Sequence, residues 1–193
     1  MSIGYQRFER SSVSAVDRVE LAVVDALAAQ LRAHLEASTD AIDVAHVHRA
    51  SSGAIQVIAS RLLREQLRFE EEEVIGQETG FVSRARPDFI FRLGPGRGIL
   101  AEVERGGTTT NNHDLKDFWK AHIAPDAHHL FLIVPNANWS ESGAARERPF
   151  ARVARRLGAF FGDPRREVDV LSVHIFGYGR TNPDGLETGT SSR

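Results

Sequence analysis

The chain has no cysteine, one methionine and two tryptophans, and only two of its 24 basic residues are lysines. The missing thiols exclude disulfides, thiolate zinc sites and cysteine nucleophiles, so any metal must be held by oxygen or imidazole ligands. No apolar run approaches the ~20 residues that span a bilayer, so no membrane association is expected. Residues 1–14 also lack the basic and then apolar pattern of a secretory signal, and the expected location is the cytoplasm. Strong charge of one sign is absent too. The formal net charge is -2, far from the basic balance of an obvious nucleic-acid binder.

What is there is a chain of 193 residues, 41% hydrophobic and 26% charged, the composition of one soluble domain with a sizeable core. Basic residues are concentrated toward the C-terminal half: residues 1–85 are net acidic and residues 86–193 mildly basic. That asymmetry permits a grip on a polyanion without demanding one. The arginine bias makes the two lysines, Lys116 and Lys120, worth following.

Hydrophobic spacing predicts a helix over residues 15–36 through Val16, Val19, Val23, Leu27, Leu31 and Leu35, capped by Ser14. A second helix runs through Ile55, Ile58, Leu62 and Leu63 to about Gln66. From Leu67 the pattern changes to a strand interrupted by four glutamates, Glu70 to Glu73. Two apolar runs joined by Gly94-Pro95-Gly96-Arg97-Gly98 read as a hairpin. A polar loop, Gly106 to Asn112, then leads into a helix carrying Leu115, Phe118, Trp119 and Ile123. His129 to Pro135 reads as a strand buried on both faces. A last helix through Phe150, Val153 and Leu157 and a last strand over 168–179 complete the pattern. The expected order is α, α, β, β, β, α, β, α, β, a mixed α/β sandwich in a single domain over residues 1–180. It comprises N-terminal helices (1–66), a core (67–135) and a C-terminal helix and strand (146–179), with a disordered tail at 181–193.

Three carboxylates sit on the hairpin. A hairpin symmetric about Pro95 pairs residues whose numbers sum to about 190, which places Asp88 opposite Glu102, roughly 5 Å away. Glu102 and Glu104, two apart, share a strand face. All three can therefore converge, and like charges that close are costly unless a cation sits among them. Hard oxygens without thiolates suit Mg²⁺ or Mn²⁺.

Pro87-Asp88, thirteen intervening residues and then Glu102-Val103-Glu104 at the end of an apolar strand resemble the PD-(D/E)XK nuclease superfamily, to which type II restriction endonucleases belong. The resemblance covers roughly residues 52–135. It implies a restriction-endonuclease-like α/β fold, a mixed sheet with an antiparallel hairpin core flanked by helices. It also implies a divalent-metal-dependent DNA endonuclease with Asp88 and Glu102 as metal ligands and Asp88, Glu102 and Glu104 as catalytic residues. Glu104 occupies the place of the family's motif lysine, as in a branch of restriction enzymes with Glu or Gln there. That departure keeps a catalytically silent nucleic-acid or protein binder in view, and a nuclease acting on RNA or branched DNA is the further alternative. A homodimer is expected by analogy, since a palindromic site matches a two-fold axis. One of Glu65, Glu71, Glu72 or Glu73 is a candidate further ligand.

Outside the hairpin, Lys116 is a candidate relocated catalytic amine, and Asn112, Lys116, Lys120 and Arg152 are candidate phosphate contacts. The arginine run from Arg146 to Arg156 reads either as a solubilising face or as a DNA-backbone contact. Phe118 and Trp119 read as core. His46 and His48 read as surface, with no third ligand nearby, and His128 and His129, being adjacent on a strand, are expected to face opposite ways.

Overall fold

A computed structural model describes residues 3–47, 52–72, 75, 86–141, 144–163, 165 and 168–181. Among these it shows a mixed α/β architecture with a six-stranded sheet, a separate two-stranded ribbon and five helices. No helix among them is long and apolar enough to cross a membrane. Apart from Thr181, whose carbonyl accepts from Arg148 (3.0 Å), the expected disordered tail lies outside the described residues, as do His48 and Glu73.

The chain opens with β1 (Gly4–Glu9), a strand that the polar text of residues 1–14 does not announce. Three helices come next: α1 (Ala15–Ala37), α2 (Thr39–Ala45) and α3 (Gly53–Leu63). Ser14 and Asp17 close a reciprocal capping box at the start of α1: Asp17 N–H donates to Ser14 Oγ (3.1 Å) and Ser14 N–H donates to Asp17 Oδ2 (3.0 Å). The buried stripe of α1 is Leu21, Val24, Ala28, Leu31 and Leu35, while Val16, Val19 and Val23 are exposed. This corrects the expected apolar face, for a geometric reason. Residues four apart advance by about 40° around a helix, so a row that begins at Val16 drifts into the core only at Leu31 and Leu35.

The middle of the chain supplies β2 (Glu70–Glu71), β3 (Phe89–Gly94) and β4 (Arg97–Val103). The strand expected from Leu67 shrinks to β2 because Arg68 (φ 64°) and Glu72 (φ 53°) both adopt left-handed backbone, which an extended ladder does not accept. The hairpin register is the expected one, with Phe89 opposite Ala101 and Ile90 opposite Leu100. The remaining elements are α4 (His113–Ile123), β5 (His129–Pro135), the ribbon β6 (Asn138–Trp139) and β7 (Ala145–Glu147), α5 (Pro149–Phe161) and β8 (Ser172–Tyr178).

The sheet order is β1-β8-β5-β4-β3-β2. Strands β4, β5 and β8 run parallel, and β1, β3 and β2 are antiparallel to their neighbours. Two consecutive crossovers in the same direction, β4-α4-β5 and β5-α5-β8, put their helices on one face of the sheet. On that face Phe118, Ala121, Val153 and Leu157 pack against Ile90, Leu100, Leu130, Leu132, Val173 and Ile175. The opposite face, with Phe89, Ile99, Ala101, Phe131, Ile133 and Phe176, is covered by α1, α2 and α3. Trp119 is 59% exposed, a second correction: it lies on the solvent side of α4, one position round from Phe118.

Candidate active site

Strand parity decides where the acids go. Leu100 faces α4 and α5, so Glu102 two residues on faces them too, at the C-terminal end of a parallel strand, the end where α/β sheets place their ligands. Asp88 stands just before β3 on the same side as Ile90. The two are knitted by the backbone: Asp88 N–H donates to Glu102 Oε2 (3.2 Å), and Val103 N–H donates to Asp88 Oδ2 (2.7 Å). Beyond Val103, Glu104 is anchored through its main chain, its N–H on Ile133 O (2.9 Å) and its carbonyl accepting from the Tyr178 hydroxyl (2.9 Å). The three hairpin acids are thus brought together on rigid elements.

Helix α4 crosses over them and contributes three groups to the site, of which the sequence had offered only Lys120, and that as a phosphate contact. His113 in its first turn bonds Glu104 Oε2 through Nδ1 (2.9 Å). Asp117 is buried, and Lys120, one turn later, bridges Asp117 Oδ1 (3.2 Å) and Glu102 Oε1. The Oδ2 of Asp117 has no hydrogen-bond partner among the described residues. The Glu104 carboxyl lies within hydrogen-bonding reach of Asp117, but two carboxylates bond only when one of them holds a proton.

The electrostatics reflect this crowding. Four carboxyl groups (Asp88, Glu102, Glu104, Asp117) face one ammonium. Burial, the neighbouring Asp117 and Asp88 charges and the Asp117 hydrogen bond push Glu104 up to about 8. Burial and the Asp117 charge likewise raise Glu102, and burial raises Asp88 and Asp117. Desolvation opposes the charge on Lys120, yet Glu102 and Asp117 outweigh it and keep the amine protonated. Such a pocket is short of positive charge, which is the state that a divalent cation corrects. In charge these acids suit a divalent cation, but no three of them bring ligand oxygens within 4.8 Å of one another, so their side chains would have to close in to hold one.

The remaining candidates divide. Lys116 and Arg152 are exposed, on α4 and α5, and Asn112 is exposed at the start of α4 with left-handed backbone (φ 56°). Asn112 Oδ1 accepts from Arg156 (2.5 Å), whose guanidinium also grips both oxygens of fully buried Asp114 (3.0 and 3.1 Å). Arg156 thus ties α5 to α4. Among the candidate further acids, Glu71 pairs with Arg64 (2.7 Å). Glu72 comes nearest to the site, with its N–H on Asp88 O (3.2 Å) and its charge felt by Asp88. His46, expected at the surface, is buried and bonded through Nε2 to Ala137 O (2.8 Å). Asp117 and Lys120 could have been found from the sequence: three residues apart on a helix that comes directly after the motif strand, they project together.

No family model matches the chain, and no curated protein matches it.

Proposed function

We propose that this protein is a divalent-metal-dependent DNA endonuclease with a restriction-endonuclease-like core, acting as a homodimer. The observation that carries the reading is the gathering of Asp88, Glu102, Glu104 and Asp117 at the C-terminal end of β4 beside one amine, Lys120, which bonds Glu102 and Asp117. In a Glu-Val-Glu strand that lacks the usual lysine, Lys120 supplies the missing ammonium from the neighbouring helix.

Asp88 and Glu102 would hold the metal, with Asp117 as the further acid. When bound, Mg²⁺ lowers the pKa of a coordinated water and neutralises charge on the scissile phosphate. The chain's own groups do the rest. Lys120, which also bonds Asp117, would present its ammonium to a phosphate oxygen. Glu104, anchored by β5 and β8 and bonded to His113, is placed to take a proton, and His113 to relay it. Beside Glu104, Arg105 and Arg146 line a cavity of about 320 Å³ together with Asn138 and Trp139, groups suited to a nucleic-acid backbone and a stacked base.

Incubation of supercoiled plasmid with the protein tests this. The expected result is nicking or linearisation with Mg²⁺ and none with EDTA, lost in Asp88→Asn and Glu102→Gln while their melting curves stay cooperative. An inert wild type, or full cleavage by either folded variant, overturns the reading.

A further inference from the structure

A second polar cluster lies on the other face of the sheet and at the other end of its strands. His128 Nε2 (2.8 Å) and His129 Nε2 (2.9 Å) both meet Glu20 Oε1. The expectation that these adjacent histidines point apart fails because His128 precedes β5. Its N–H bonds Gly98 O (3.1 Å) outside the strand ladder, so strand alternation does not govern its side chain. The carboxylate comes from α1 and the imidazoles from the start of β5. His129 faces α1 with Phe131 and Ile133, whereas Glu102 pairs with Leu132 on the opposite face. Three residues of strand, about 10 Å, and the sheet itself separate this cluster from the acids of the candidate active site.

We propose that Glu20, His128 and His129 form a transition-metal site, with Zn²⁺ as its ion, that clips α1 to the edge of β5 independently of the nuclease reading. Three observations support it. The ligand atoms, one from each residue, all lie within 4.8 Å of one another. Tetrahedral Zn²⁺ at 2.0–2.1 Å from each ligand sets them roughly 3.3 Å apart, about half an ångström more than each imidazole now stands from Glu20 Oε1.

The hydrogen bonding leaves room for a cation. Glu20 Oε1 faces three donors, since Arg97 Nη2 reaches it as well (3.0 Å), whereas Oε2 meets Arg97 Nε alone (2.5 Å). A carboxylate oxygen has two in-plane lone pairs for those three groups. Arg97 also bonds Asp17 (2.6 Å), so with the imidazoles unprotonated the cluster carries two carboxylates against one guanidinium and keeps one negative charge in excess. Arg97 can hold Oε2 and Asp17 while the ion takes Oε1.

The outer contacts of His129 are those of a metal ligand. Its Nδ1 bonds Ser172 Oγ (2.7 Å), which bonds His174 Nε2 (3.1 Å), whose Nδ1 meets the Tyr5 hydroxyl (2.8 Å). Against the Glu20 carboxylate His129 Nε2 carries the proton; with a metal there, the Ser172 hydroxyl can accept from Nδ1–H instead, which frees Nε2 to coordinate. Two imidazoles and one carboxylate with an open fourth position match a borderline metal such as Zn²⁺ and not Mg²⁺. His128 also lines a cleft of about 570 Å³ with Arg97, Asp17 and His122.

The test is calorimetric titration of the EDTA-stripped full chain with Zn²⁺, alongside Co²⁺ absorption, for wild type, His128→Ala, Glu20→Gln and Glu102→Gln. Expected are one bound equivalent in wild type and in Glu102→Gln, and affinity at least about 100-fold lower in His128→Ala and Glu20→Gln. The Co²⁺ form should show the intense visible bands of four- or five-coordination and hyperfine-shifted imidazole N–H resonances, a readout that needs no variant. Binding unchanged in a folded His128→Ala, binding lost in Glu102→Gln, or weak octahedral Co²⁺ bands in wild type would each overturn the proposal.

Discussion

Lys116 and Lys120 lie one turn apart on α4, and only Lys116 was expected as a catalytic amine. The structure separates them by burial. Lys116 is exposed, whereas Lys120 is held between Glu102 and Asp117. Asp88, Glu102 and Glu104 were legible because the hairpin pairs symmetrically about Pro95 from Arg92–Gly98 outward, the one irregularity lying between Arg92 and Gly94. Asp117 was legible only through its spacing from Lys120, since within Asp114-Leu115-Lys116-Asp117 it otherwise reads as an ordinary polar helix position, and its burial comes from the strand across which the helix lies. That burial has an energetic consequence. Asp117 Oδ2 has no partner among the described residues and Glu104 lies within hydrogen-bonding reach, so Asp117→Asn removes a repelled charge and supplies an N–H to a waiting acceptor. In EDTA the variant is expected to be more stable than wild type by about 1 kcal/mol, and to bind Mg²⁺ more weakly. Chemical denaturation with and without Mg²⁺ reads both effects, and a less stable apo variant would mean that the Asp117 charge is fully compensated by Lys120.

At the scale of elements, the long and strongly patterned segments were legible: α1, α3, the hairpin, α4, β5, α5 and β8 all appear. The short or half-exposed ones were not. β1 alternates too little to stand out because it pairs only with β8 at the sheet edge and carries Arg7 and Glu9 outward. The ribbon β6–β7 reads as loop because its strands have two and three residues. The element that positions the site is the β3–β4 hairpin, and Gly98 is its tight point. A Cβ there would lie 2.6 Å from Asp126 O and 2.7 Å from Phe91 O, both main-chain atoms that cannot swing aside. Gly98→Ala is therefore expected to cost about 2 kcal/mol and to lower the melting temperature by about 4–8 °C. Gly94→Ala, four residues away in the same hairpin with nothing within 4 Å of the added atom, should change stability by less than about 0.5 kcal/mol. Equal melting of the two variants would show that β4 relaxes without penalty.

For the molecule as a whole, two groups of buried ionisable side chains oppose each other. On the α1 face, burial lowers His129 to about 4 and His174 to about 3, against an ordinary 6.5. The unfolded chain takes up protons there before the native state does, so this stability is complete above 6.5 and lost as pH falls toward 4. Glu20, lowered to about 2 by Arg97 and the two histidines against its own burial, adds loss below its ordinary 4.5. On the α4 face the sign reverses. Glu104 is raised to about 8, and Asp88, Glu102 and Asp117 are raised with it. Here the native state holds protons that the unfolded chain has released, so stability is complete below their ordinary values near 4 and is lost as pH rises toward 8. The histidines no longer compensate above 7. Between about 5 and 6.5 the two histidines are already offset by the two raised glutamates, so the EDTA-treated protein is expected to show a bell-shaped dependence of melting temperature on pH with its maximum at about 5 and a fall through about 6–8. A divalent cation replaces the protons among the acids and does nothing for His174, so Mg²⁺ should lift the alkaline limb and leave the acid limb where it was. Glu102→Gln, which removes one of the raised acids and a ligand together, should flatten the alkaline limb in EDTA and abolish its response to Mg²⁺. Calorimetric scans from pH 4 to 9, with EDTA and with Mg²⁺, separate the limbs. An alkaline limb that Mg²⁺ does not move in wild type would mean that the excess charge beside Lys120 is satisfied without a metal, and that the four acids serve the fold alone.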